Sequence, residues 1–200
     1  MSQASSSEPP RVVVIDTSAF VNPETHRLLA PGVDAALRRF LTLARQHNIS
    51  VYVPISVFRE MEHFISAEVM DRLKAQATVR APDIFGMTVP AAVLHFFVRD
   101  IRQRIDKGLR LAEQAVRAEN SAENIRKLRE RYREVVRAGI VDSVEDLDVV
   151  LLAKEVGAAI LSADEGIQNM AHALGVESLT MRDFLLKLGE EMPPLQRGGD

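Results

Sequence analysis

The sequence predicts an α/β domain in which a parallel sheet is covered by helices on both faces and interrupted by an inserted helical hairpin. Three observations carry this. Residues 11–16 (RVVVID) form a short, continuous β-branched run, the composition of a strand buried on both faces. Strand-like and helix-like segments alternate through the first 60 and last 60 residues, the order that builds parallel sheets. Between them, residues 90–138 read as helix with a single break.

Each element has its own pattern. Residues 33–47 place Ala36, Leu37, Phe40, Leu41 and Ala44 at helical spacing. Residues 49–53 form a second strand, ended by Pro54. Ser56 is positioned to cap a helix running through Val57, Met61 and Phe64, and residues 67–79 continue as helix. Residues 80–87 connect to Pro90, which suits a first helical turn. From there to about Ala118, apolar residues fall at Leu94, Val98, Ile101, Ile105, Leu109, Ala112 and Val116. These steps of three and four give one stripe on a helix ~43 Å long. Asn120-Ser121 breaks it and caps a second helix, 122–138, with Ile125, Leu128, Tyr132 and Val135 on one face. Two helices with matching stripes and a short break form an antiparallel hairpin. Asp142 or Ser143 starts the next helix, which ends near Gly157. A strand over 158–161, a helix over 165–174, a strand over 176–179 and a helix over 180–188 complete the chain.

The chain has 200 residues, enough for one domain that buries roughly 70% of its unfolded surface without a staple. It has no Cys, which excludes disulfides, cysteine zinc sites, iron–sulfur clusters and a thiol nucleophile, and fits the cytoplasm. No run approaches the ~18 apolar residues that would span a bilayer, so no membrane partner is expected. The expected organisation is a loose Ser- and Pro-rich tail at 1–10, an α/β domain of 11–89 with 139–188, the inserted hairpin at 90–138, and a loose tail at 189–200.

Net charge is -3, but it is uneven. Residues 99–137 hold 12 Lys and Arg against 7 Asp and Glu, ten of the twelve being Arg. The remainder of the chain is acidic. Arg126, Arg129, Arg133 and Arg137 recur at three and four and form a basic row beside the apolar one. Arg makes forked contacts to phosphate, although solvated helix faces give the same pattern.

Two buried-type strands end alike, in Asp16 and in Asp164 (ILSAD). Ligands of open parallel sheets bind beyond the carboxyl ends of the strands, so both carboxylates face that edge. Asp142 and Asp146 stand four apart at a helix start and share a face. If that helix begins at the same edge, four carboxylates converge, with Glu60 as a fifth. Singly, each except Asp16 is explained otherwise: Asp142 and Asp164 as caps or turn residues, Asp146 and Asp148 by the helix dipole, and Glu60 on a solvated face. Together, the matching strand ends are not. Thr17 and Ser18 either cap the next helix or hold a carboxylate by hydrogen bonds. Converging carboxylates repel unless a cation neutralises them, and all-oxygen ligands select Mg²⁺ or Mn²⁺. Such ions serve in-line displacement at phosphorus. No Gly-rich phosphate loop is present, which argues against a nucleotide-driven enzyme. The five His residues have no metal-ligand spacing.

Asp16-Thr17-Ser18, Val57-Phe58-Arg59-Glu60, and Asp146 eighteen residues before Asp164 resemble the PIN-domain nuclease pattern. Within that superfamily, residues 16–24 (DTSAFVNPE), 54–61 (PISVFREM), 88–91 (TVPA), 106–113 (DKGLRLAE), 139–148 (GIVDSVEDLD) and 161–166 (LSADEG) resemble the minimal protein-only ribonuclease P family, also known as HARP or RNA ligase partner. The resemblance spans about 11–188, hairpin included. It implies a PIN-like three-layer α/β/α sandwich, with 11–89 and 139–188 as the nuclease domain, and removal of the 5′ leader from precursor tRNA, leaving a 5′ phosphate. It also implies a catalytic metal site of Asp16, Asp142, Asp146 and Asp164 with Glu60 as a further ligand, and Thr17, Ser18 and Asp148 in support. Family members assemble through their helical protrusions into dimers and then rings or screws, up to dodecamers. The hairpin arginines Arg126, Arg129, Arg133 and Arg137 would hold tRNA phosphates. Two alternatives remain at this level. One is another PIN endoribonuclease, toxin-like, against which the long insertion counts. The other is a non-catalytic scaffold binding RNA or an RNA ligase, against which the intact acidic positions count.

Overall fold

A computed structural model describes residues 8–117, 121–137 and 143–191. Five strands, β1 (Val12–Ile15), β2 (Ser50–Val53), β3 (Ala77–Val79), β4 (Ala159–Leu161) and β5 (Ser178–Leu179), form one all-parallel sheet in the order β3-β2-β1-β4-β5. The sheet grows outward from β1 in both directions. Right-handed crossovers therefore put the helices of its two halves on opposite faces. α3 (Val33–Gln46) packs on α5 (Ala67–Gln76) over one half, and α8 (Val144–Val156) packs on α9 (Glu165–Leu174) over the other. Two short helices, α1 (Ser18–Val21) and α2 (Pro23–His26), come after β1. α4 (Ile55–Met61) comes after β2, and α10 (Met181–Leu188) closes the fold.

The core obeys the expected periodicity. Val13, Val14 and Ile15 are fully buried, as a strand between two helical layers must be. Ala36, Leu37, Phe40, Leu41 and Ala44 all turn inward from α3. Phe40 stands edge-on to Phe20 at 5.3 Å and packs at 5.4 Å on Phe184, which fastens α1 and α10 to α3. Gly157, at φ 66°, supplies the left-handed residue that ends α8 and turns the chain into β4.

Three expectations are corrected. Residues 67–79 are not one helix: the chain leaves α5 at Gln76 and Ala77–Val79 pairs with β2 as the edge strand. A three-residue strand directly after a helix carries no pattern of its own; it exists through the pairing. Ser56 does not cap α4, because Pro54 already occupies the cap position and the helix begins at Ile55. The third concerns α6 (Ala91–Arg117) and α7 (Ala122–Arg137), which pack along one another, with Ser121 Oγ accepting the Asn124 N–H at 3.2 Å. The face of α6 turned to α7 is marked by Gly108, where an added Cβ would lie 2.8 Å from Cε2 of Tyr132, and by half-buried Leu111, Ala112 and Ala115. The larger apolar residues Leu94, Val98, Ile101, Ile105, Leu109 and Val116 stay exposed. Small residues let two helices approach closely; the bulky stripe is left for something else. No helix among the described residues is long and apolar enough to cross a membrane.

A candidate acidic active site at the sheet edge

Residues just past the carboxyl ends of β1, β2 and β4 build the site. Asp16 is the first residue past β1 and is 5% exposed. Its Oδ2 accepts three hydrogen bonds: the Ser18 N–H at 3.2 Å, the Ser18 hydroxyl, and the Ser162 hydroxyl at 2.9 Å. Ser18 Oγ accepts the Ala163 N–H at 2.9 Å, and Ser162 Oγ accepts the Asp164 N–H at 3.0 Å. Each hydroxyl has one proton, and both donate it to Asp16. Oδ1 takes no hydrogen bond from the described residues. Burial pushes the Asp16 carboxyl above the ordinary carboxylate range, against the hydrogen bonds from Ser18 and Ser162, and the nearby Glu60 carboxylate pushes the same way.

Glu60 reaches this edge from the last turn of α4. Thr17 donates to its Oε2 at 2.6 Å. Thr17 and Ser18 thus hold carboxylates rather than cap α1, at whose start no side-chain cap bond forms. Asp164 lies past β4, and its Oδ1 accepts the Ile167 N–H at 2.9 Å as the cap of α9. Asp146 stands in the first turn of α8, its backbone N–H donating at 3.0 Å to Ser143, so Ser143 is the residue that caps this helix. The start of α8 lies at the same sheet edge, because Ser56 Oγ, just past β2, donates to Asp148 Oδ2 at 2.7 Å.

The structure therefore brings Asp16 and Glu60 together, with the Asp164 backbone joined through Ser162. It does not gather three or more Asp, Glu or His side chains at one point among the described residues. Asp142 lies outside the described residues. Among those described, no Lys, Arg or His forms an ion pair with Asp16, Glu60 or Asp164. A buried carboxyl with one oxygen saturated, the other open, a second carboxylate beside it and only oxygen donors suits a hard divalent cation.

Ser162 is the functional residue that sequence reasoning missed. It is 1% exposed and supplies one of the three hydrogen bonds to Asp16. Its signal is the small hydroxyl two residues before Asp164, standing at the end of β4 as Thr17 and Ser18 stand at the end of β1.

On the hairpin, Arg126, Arg129 and Arg133 are exposed, and Arg126 lies 3.9 Å from Glu130. The Arg137 side chain lies outside the described residues.

The PINc domain ribonuclease family matches residues 12–192. Curated relatives that bear the name RNA-free ribonuclease P match most of the chain. That of Alkalilimnicola ehrlichii is 42% identical and covers 91% of this chain and 97% of its own. Those of Thermococcus onnurineus and Thermococcus kodakarensis are 40% and 39% identical, covering 86% and 90% of this chain and 90% and 96% of theirs.

Proposed function

From the premise that this chain belongs to the RNA-free ribonuclease P family of PINc domain ribonucleases, we propose that it removes the 5′ leader of precursor tRNA. Water adds to the scissile phosphorus, the bond from phosphorus to the 3′ oxygen of the leader breaks, and the mature tRNA keeps a 5′ phosphate. One observation supports this chemistry above the rest: Asp16 is buried, saturated on Oδ2 and open on Oδ1, at the sheet edge shared with Glu60 and Asp164.

Asp16, Asp142, Asp146 and Asp164, with Glu60, would hold Mg²⁺ or Mn²⁺. A bound ion would lower the pKa of the attacking water and neutralise charge on the leaving oxygen. Ser18 and Ser162 orient Asp16, and Thr17 orients Glu60. No His or Lys among the described residues stands in this network to act as a base.

The hairpin grips while the edge cuts. Arg126, Arg129, Arg133 and Arg137 would face tRNA phosphates, since duplex RNA is read by shape and backbone. The exposed stripe from Leu94 to Val116 would pack against another copy, building dimers and larger rings or screws, up to dodecamers. Cleavage belongs in the cytoplasm, where precursor tRNA is available. The test is Asp16→Asn, which should abolish cleavage and leave the dissociation constant for precursor tRNA unchanged. Cleavage at the wild-type rate would remove Asp16 from the chemistry.

A further inference from the structure

We propose that Ser56 and Asp148 form a strap that positions the ion-binding carboxylates, and that Asp148 is not itself an ion ligand. This rests on the metal-dependent reading above. The helical geometry comes first. Asp146 stands on one face of α8, and Asp148, two residues on, lies about 200° around the helix. It points away from that face, toward α4. There its Oδ2 accepts the Ser56 hydroxyl at 2.7 Å.

Ser56 in turn stands four residues before Glu60, so both lie on one side of α4. Glu60 is tied by Thr17 to the end of β1, and Ser56 is tied by Asp148 to the start of α8. α4 thus bridges the two elements that carry Asp16 and Asp146. The strap fixes how far α8, and with it Asp146, stands from Asp16 and Glu60, which is the property an ion site needs. What Asp148 contributes is an acceptor oxygen, not a charge aimed at the ion. Outer partners that hold ligands in place contribute roughly 10- to 100-fold in metal affinity.

The experiment uses the full-length protein without RNA and measures Mn²⁺ binding by electron paramagnetic resonance. Ser56→Ala, Asp148→Ala, Asp148→Asn, Asp146→Asn and the double variant Ser56→Ala/Asp148→Ala are compared, each with a thermal melt. Ser56→Ala and Asp148→Ala should each weaken Mn²⁺ binding about tenfold, and the double variant should be no worse than either. Asp148→Asn should stay within about threefold of wild type, because the Asn Oδ1 still accepts the Ser56 proton. Asp146→Asn should lose binding. If Asp148→Asn falls as far as Asp146→Asn, Asp148 is a ligand and the proposal is wrong. If Ser56→Ala melts lower but binds Mn²⁺ normally, the bond is only structural and the proposal is equally wrong. Failure of the wild type to cut precursor tRNA while this binding pattern holds would overturn the substrate and leave the strap standing.

Discussion

Ser162→Ala tests how the site holds its central carboxylate. The substitution removes one of three donors to Asp16 Oδ2 and the acceptor of the Asp164 N–H, at a residue 1% exposed where water cannot take its place. A hydrogen bond to a charged group contributes about 1.5 to 3 kcal/mol, and an orphaned buried N–H adds to the loss. The expected destabilisation at pH 7 is about 2 to 3 kcal/mol, which for a chain of this size lowers the melting temperature by roughly 5 to 10 °C. The pH dependence has a definite sign. Asp16 titrates above its ordinary value because it is buried, so the folded state binds its proton more tightly and stability falls as pH rises through that range. Removing the Ser162 hydroxyl raises the folded value further, so the variant should lose more at pH 7 than near pH 3, where Asp16 is largely protonated in both states. Differential scanning calorimetry of the metal-free protein at the two pH values measures this. Melting within about 1 °C of wild type at pH 7 would refute the assignment of Ser162 as a partner of ionised Asp16.

The same geometry sets other outcomes. Replacing Arg126, Arg129 and Arg133 by Ala should weaken precursor tRNA binding and lower the salt slope by about 2 to 3, at roughly 0.7 to 0.9 per lost phosphate contact; filter binding over a salt series reads both, and an unchanged slope removes the row from the interface. Glu155 accepts from Arg80 Nη2 at 2.8 Å and from the Asp83 N–H at 2.9 Å, which holds its carboxyl below the usual range, Arg80 acting first. Its contribution is present above the ordinary carboxylate value and is lost as pH falls through the lowered one. Glu155→Gln should therefore cost at most about 1 kcal/mol at pH 7, the half-exposed pair being screened by solvent, and less near pH 3. An equal difference at both pH values in thermal melts would contradict that reading of Glu155.

The parts of this molecule that are legible in the sequence are those whose signal is local. RVVVID and AAILSAD announce buried strands ending in Asp because burial on both faces demands unbroken apolar runs. Ser143, Asp164 and Thr180 announce helix starts because a short polar side chain caps the backbone one turn on. What stays hidden depends on partners far away in the chain. β3 exists only through its pairing with β2. Ser56 reads as a cap until α8 arrives with Asp148. Ser162 is an ordinary small residue until Asp16 is folded against it, 146 positions away. The apolar stripe of α6 is plain in the sequence, but its partner is not: α7 packs on the smaller residues around Gly108.

The central claim is that an acidic sheet edge cuts precursor tRNA at one bond. The direct measurement is to incubate the purified wild-type protein with precursor tRNA and Mg²⁺, with and without chelator, and to map the product ends. The expected result is a single cut at the mature 5′ end that leaves a 5′ phosphate, lost with chelator and lost in Asp16→Asn. Scattered cuts, a 5′ hydroxyl product, or cleavage that survives the chelator would contradict it.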